Sequence, residues 1–281
     1  LYGFAVSAVS AAGEGEQSAV LAQSSSPGAP ATGPTSSLQT STTISLSWSA
    51  PSSDGSSGSD ATGYRLYDVS GGSAVVLYSG SSTAFEQTGL TAGASYSYEV
   101  SAVSDAGESP TTSPLVQYTA PSAPTALVSS AWTTTSYQID WVAPSVAANA
   151  PAVSGYTLYE RVTYEMHDVG MSGAIPDDVL QTMLSQSTDT VVVDTVAYDG
   201  RASTAVTTTL SGLTGGASTS YVVAARSSAG EGDRSSALSV STSPPAPGTL
   251  ASVLQTTSSI TLSWSAPVVT TGVAVTGYNL Y

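Results

Sequence analysis

The 281-residue sequence contains no cysteine, no lysine, one histidine and two phenylalanines. Without cysteine there is no disulfide, no thiol nucleophile and no thiolate metal ligand. Without lysine there is no lysine nucleophile and no P-loop, and a lone histidine excludes a multi-histidine zinc site. Positive charge is scarce: five arginines face 20 acidic residues, for a net charge of −15. That balance argues against nucleic acid or an anionic membrane as partner, because both require basic surface. Charged residues are only 9% of the chain against 41% hydrophobic, which is enough to pack cores and too much for a disordered tail. No apolar run is long enough to span a bilayer. Neither asparagine starts an N-glycosylation sequon. The sequence does not begin with Met and shows no signal peptide.

Serine and threonine are abundant instead, roughly a third of the residues. Such richness fits an extracellular protein carrying O-glycans. It fits equally well strands whose outward positions are filled by hydroxyl side chains. The stretch Ile44-Ser45-Leu46-Ser47-Trp48, followed by Gly63-Tyr64-Arg65-Leu66-Tyr67, recurs as Tyr137-Gln138-Ile139-Asp140-Trp141 with Gly155-Tyr156-Thr157-Leu158-Tyr159. It recurs again as Ile260-Thr261-Leu262-Ser263-Trp264 with Gly277-Tyr278-Asn279-Leu280-Tyr281. Apolar and polar residues alternate up to each Trp, the pattern of a half-buried strand. Pro51, Pro144 and Pro267 then end it. Alternating runs ending in Ala-Gly-Glu recur at 12–14, 106–108 and 229–231, with glycine supplying the positive φ of a tight hairpin. Pro-rich segments at 27–30, 121–124 and 244–247 read as stiff linkers, and they predict an extended array.

These motifs in fixed order resemble fibronectin type III domains: a Pro-x-x-Pro start, the Trp strand, the Gly-Tyr strand, the corner Leu90-Thr91-Ala92-Gly93-Ala94-Ser95-Tyr96, and the Ala-Gly-Glu hairpin. The resemblance implies an all-β chain of tandem seven-stranded antiparallel sandwiches without disulfides. Trp48, Trp141 and Trp264 would sit in cores, and a corner tyrosine would bond back to the preceding loop. Tyr96 and Tyr2 fit that role, whereas counting back from Gly230 puts Thr219 there in the second full repeat, after Leu213, so a weaker or rebuilt corner is expected. The domains read as a C-terminal hairpin at 1–26, complete domains at 27–120 and 121–243, and the N-terminal strands of another at 244–281. The second complete domain carries an insertion at about 162–200. Strand-like arms at 156–166 and 188–198 flank Pro176-Asp177-Asp178-Val179-Leu180, which reads as a short helix.

Candidate sites are few. His167 beside Asp168 lacks a serine in a nucleophile-elbow context, so no catalysis and no cofactor are expected. Asp54, Asp60, Asp105 and Glu108 would gather at one pole of the first complete domain, where oxygen ligands suit a hard cation such as Ca²⁺; solvated acidic loops are the competing reading. No Arg-Gly-Asp is present, so the integrin-binding tripeptide of some relatives is not carried over. Trp132 stands where the other repeats have Gln39 and Gln255, and reads as a sugar platform, a protein contact or local packing. Met166, His167, Met171, Val179, Leu180, Met183 and Leu184 concentrate at the insertion tip as a protein-contact surface, onto a neighbouring domain or another copy of the chain. Two functions follow. One is a non-enzymatic rod-like spacer or filament subunit at the cell surface, with protein and glycan partners. The alternative is the accessory region of a secreted polysaccharide-degrading enzyme.

Overall fold

The computed structural model describes residues 2–52, 59–165, 176, 179, 190–269 and 274–281. The described residues are strands and connecting loops, all paired antiparallel. The chain divides into two compact units: Leu1–Pro121 with Val146–Ala152 and Ser228–Gly230, and Ser122–Ser145 with Val153–Ser227 and Glu231–Tyr281.

The first unit opens with four short strands, β1 (Tyr2–Phe4), β2 (Ser7–Ser10), β3 (Gly13–Gln17) and β4 (Leu21–Gln23), in which β1 pairs with β4 and β2 with β3. A sandwich follows. Its smaller sheet has the order β5 (Thr35–Gln39), β6 (Ile44–Ser47), β9 (Ala84–Gln87). Its larger sheet comprises β7 (Gly63–Asp68), β8 (Val75–Gly80), β10 (Ser95–Ser104), β11 (Gly107–Glu108) and β12 (Leu115–Tyr118), with β10 between β7 and both β11 and β12. The alternation read from the sequence faces the sheets inward: Ile44, Leu46 and Trp48 from one, Tyr64, Leu66, Tyr98, Val100 and Ala102 from the other, form one core.

The second unit repeats this order. Strands β13 (Thr125–Ser130), β14 (Ser136–Val142) and β17 (Thr207–Ser211) form the smaller sheet. Strands β15 (Gly155–Glu165), β16 (Thr190–Gly200), β18 (Ser218–Ser227), β19 (Gly230–Arg234) and β20 (Leu238–Ser241) form the larger. Tyr137, Ile139 and Trp141 meet Tyr156, Leu158, Tyr221 and Val223 in the core. In both sandwiches the indole meets the Gly-Tyr ring edge-on, at 6.0 Å for Trp48–Tyr64 and 5.3 Å for Trp141–Tyr156. This is the preferred geometry of an aromatic pair.

Without disulfides, hydroxyl side chains fasten the last strand. The Thr119 hydroxyl accepts from Ala94 N (3.0 Å) and donates to Thr91 O (2.7 Å); Thr242 accepts from Ala217 N (3.2 Å) and donates to Thr214 O (2.6 Å). Both threonines are buried, so each hydroxyl has its own hydrogen-bonding capacity met by these backbone groups, which a buried polar atom needs. Gly93 and Gly216 hold the loop between, with φ of 61° and 71°, a region glycine enters without steric cost.

The corner departs between repeats as expected. Tyr96 Oη accepts from Thr91 N at 2.9 Å. In the second sandwich the Tyr137 hydroxyl donates to the Tyr221 hydroxyl at 2.9 Å, and Thr219 bonds the same pair. The counterpart of Tyr221 is Tyr98, but Ile44 stands where Tyr137 would be, and the buried Tyr98 hydroxyl finds no partner.

Two expectations fail at the ends. Trp264 is 38% exposed rather than buried. Only β21 (Ala251–Gln255) and β22 (Ile260–Ser263) form among the described residues of 244–281, so no second sheet covers their inward side. The edge-on contact to Tyr278 persists at 5.5 Å. Tyr2 is likewise exposed, lying against Phe4.

Trp48→Ala and Trp141→Ala should each cost about 3–5 kcal/mol, as large-to-small core changes do, measured by chemical denaturation. Tyr98→Phe should be neutral or stabilising, because it removes a hydroxyl that has lost its water and gained nothing. Tyr221→Phe should cost about 1–3 kcal/mol by removing the hydroxyl to which Tyr137 donates. Equal effects of the two phenylalanine variants would contradict the assignment.

Candidate functional site

The acidic pole is described only in part. Asp54 lies outside the described residues; Asp60 and Asp105 are exposed. Glu108 is engaged elsewhere: it accepts from Tyr67 Oη, Ser101 Oγ and Arg65 Nη1, the last at 2.5 Å. Among the described residues no three His, Asp or Glu side chains converge. Burial works against the charged carboxylate, but bonds from Ser101, Tyr67 and Arg65 outweigh it and hold Glu108 below the usual glutamate range. These bonds tie the β10–β11 hairpin to β7 on the outer face of the larger sheet.

The second sandwich repeats the Tyr–Glu lock with an arginine from a different strand. Tyr159 Oη donates to both Glu231 oxygens at 2.7 and 2.9 Å, and Arg226 pairs with Glu231. Beside it, Arg161 grips Asp194 with two bonds of 2.7 Å, joining β15 to β16. Arg234 closes on the same carboxylate while its guanidinium lies 4.1 Å from the Tyr159 ring centre, a cation–π contact. The Asp194 side chain is 4% exposed, and the Arg161 bonds, helped by Arg234, hold its pKa below the usual aspartate value against burial. Arg201 pairs with Asp199 at 2.6 Å. All five arginines of the chain are therefore bound to carboxylates.

The outer face of the second larger sheet is also unlike the first. Where the first carries Arg65, Glu99 and Ser101, the second carries Thr157, Val222 and Ala224, exposed by 2%, 0% and 0%. The insertion forms the predicted long hairpin. β15 pairs with β16 along its length, but with β18 only from Gly155 to Arg161, so Val162–Glu165 continue with β16 alone. Val162, Val192 and Val196 on these arms are exposed. Of the expected helix and tip, only Pro176 and Val179 are described, and Val179 is buried. Met166, His167, Met171, Leu180, Met183 and Leu184 lie outside the described residues. Trp132 is 54% exposed and follows Ala131, whose φ of 53° lies in the left-handed region. It is thus a partly covered surface aromatic.

The outer-face lock was missed in the sequence, although its signal was present. The Glu of Ala-Gly-Glu and the second Tyr of Gly-Tyr-x-Leu-Tyr recur together in both complete repeats. In the N-terminal piece Ser7 donates to Glu14, repeating Ser101 and Glu108.

Residues 28–118 match the family model of the fibronectin type III domain. That segment is a fibronectin type III domain, and its strand order is repeated over 125–241. The chain is 30% identical over 269 residues to Exoglucanase B and 32% identical over 253 residues to Endoglucanase B, both of Cellulomonas fimi. These alignments cover 89% and 84% of this chain and 21% of each relative. Over 88 residues, 28% of the chain, it is 47% identical to Chitinase A1 of Niallia circulans, covering 12% of that protein. The chain spans about a fifth or less of these relatives' lengths.

The lowered pKa values of Glu108 and Asp194 fix a pH dependence. A group depressed in the folded state stabilises fully above its unfolded value, and that stability is lost as pH falls through the folded value. Thermal stability should therefore drop as pH falls below about 4, where free carboxylates protonate. Asp194→Asn should lower stability at pH 7 by about 1–3 kcal/mol and flatten the acid dependence of the second sandwich. An Asn variant whose acid profile is unchanged would remove Asp194 from that role.

Proposed function

We propose that this chain is a non-catalytic accessory segment of a secreted polysaccharide-degrading enzyme, built from tandem fibronectin type III domains. The observation that carries the reading is similarity over most of the chain to two glucanases, in each of which the matching stretch is about a fifth of the protein. The residues agree with an accessory role: arginines, tyrosines and acidic groups are spent on sheet-to-hairpin locks rather than on a cleft of convergent reactive groups. The absence of cysteine makes stability independent of redox state, which suits secretion but does not require it. On this reading the domains hold other parts of the protein apart, and the location is extracellular.

The rod-like surface spacer or filament subunit keeps one observation in its favour. The β15–β16 arms run beyond β18 and expose Val162, Val192 and Val196, which suits protein contacts with another copy.

The test is deletion of residues 27–243 from the full-length protein. Hydrolysis of soluble oligosaccharides should be unchanged, and hydrolysis of insoluble cellulose or chitin should fall severalfold. A full-length protein without glycoside hydrolysis would sink the reading, and so would equal loss on soluble and insoluble substrates. Replacing 167–187 with Asn-Gly addresses the rival: assembly lost on light scattering would favour the filament.

A further inference from the structure

The two sandwiches differ most where β15 leaves β18. Their pairing ends at Arg161 opposite Ser220; beyond it β15 runs on with β16, while β18 begins at Ser218 beside β20. A cavity of about 430 Å³ lies there, within the ~300–1,000 Å³ range of small-molecule sites. In the first sandwich the same place is closed. The chain turns back after Asp68, Val69 N donates to Ser97 O, and Ser97 N donates to Ser70 Oγ, both at 2.8 Å. Ser97 is the counterpart of Ser220. The straight course of β15 into the insertion therefore opens the cavity.

We propose that this cavity binds a neutral oligosaccharide. Thr163, Ser220 and Ser239 line it with hydroxyls, Glu160 adds a carboxylate, and Val162 adds an apolar patch; the Thr219 hydroxyl is spent on the Tyr137–Tyr221 pair. Hydroxyls donate and accept, and a carboxylate accepts; a sugar ring presents hydroxyls of the same dual character on every side. An anionic ligand is disfavoured. Arg161 also lines it, but its two bonds go to Asp194, and the chain's other arginines are also held by carboxylates. A metal ion is disfavoured too, because Glu160 is the one acidic side chain lining the cavity and a hard cation takes six or more oxygen ligands, usually with several carboxylates. A hydrophobic peptide would find only Val162 as anchor. The remaining chemistry is that of a polyol.

The choice of sugar probes rests on the proposed link to polysaccharide-acting enzymes. The experiment titrates cellohexaose and chitohexaose into the 281-residue chain, followed by calorimetry and amide NMR, up to about 10 mM, enough to saturate a millimolar site. One of the two should bind, with amide shifts at Thr163 and Ser220. Glu160→Gln should weaken binding at least threefold. Ser239→Tyr, at an exposed position of β20, should fill the cavity and weaken it at least tenfold with Tm little changed. Trp132→Ala should leave it intact. Should Ser239→Tyr prove unfolded, the Glu160→Gln affinity and the shift map decide the matter. No binding of either sugar, binding that survives a folded Ser239→Tyr, or binding lost in Trp132→Ala instead would overturn the proposal. The titration uses this chain alone and the deletion uses the full-length protein, so either can fail with the other standing.

Discussion

The edge-on contact between a tryptophan and the tyrosine of the Gly-Tyr strand is the interaction on which each repeat depends. It joins the two sheets of the sandwich, one ring from each, and the other core residues pack around it. Its geometry hardly varies: 6.0 Å and 65°, 5.3 Å and 62°, 5.5 Å and 66° in the three occurrences. The third occurrence is informative because, among the described residues of 244–281, only two strands form. The pair therefore does not need the complete sandwich to adopt its geometry, although it needs the second sheet to be buried.

Around that contact the chain assigns its scarce cations to structure. Each arginine sits beside a carboxylate, and three of the five, Arg161, Arg226 and Arg234, converge with Tyr159, Asp194 and Glu231 on one outer sheet face. Partly exposed pairs of this kind contribute little singly. Sharing Asp194 between two arginines and stacking one of them on an aromatic ring makes a network that fixes the hairpin arm to the sheet. The surface left over is acidic and hydroxylated, which is why the inference of a polyol ligand follows from charge as much as from shape.

The fold was legible in the sequence because the signals repeat. Alternation ending at Trp48 and Trp141 located two core strands, and the Ala-Gly-Glu spacing located the hairpins. The long arms at 155–165 and 190–200 were legible from their β-rich composition. What failed did so for physical reasons. Trp264 carries the same local pattern as Trp48, but burial requires an opposing sheet that a local pattern does not report. The bonds that Glu108 accepts are not legible in the sequence, because Tyr67 and Ser101 come from other strands. The buried hydroxyls of Thr119 and Thr242 fasten the last strand to the preceding loop, a role visible only once the strands are paired. The cavity beside Ser220 arises from a strand failing to turn, which leaves no motif.

The short reach of the aromatic pair has a consequence for how neighbours of the same strand order avoid exchanging strands. Its members are separated by 16, 15 and 14 residues within a repeat. A mistaken pair between Trp48 and Tyr156, or Trp141 and Tyr278, would close a loop of more than a hundred residues. Closure entropy grows with the logarithm of loop length, so the correct partner is favoured by roughly 1.5–2 kcal/mol before any packing difference is counted. That is a tenfold or greater kinetic preference for each repeat to condense on itself, and it operates while the rest of the array is still unfolded.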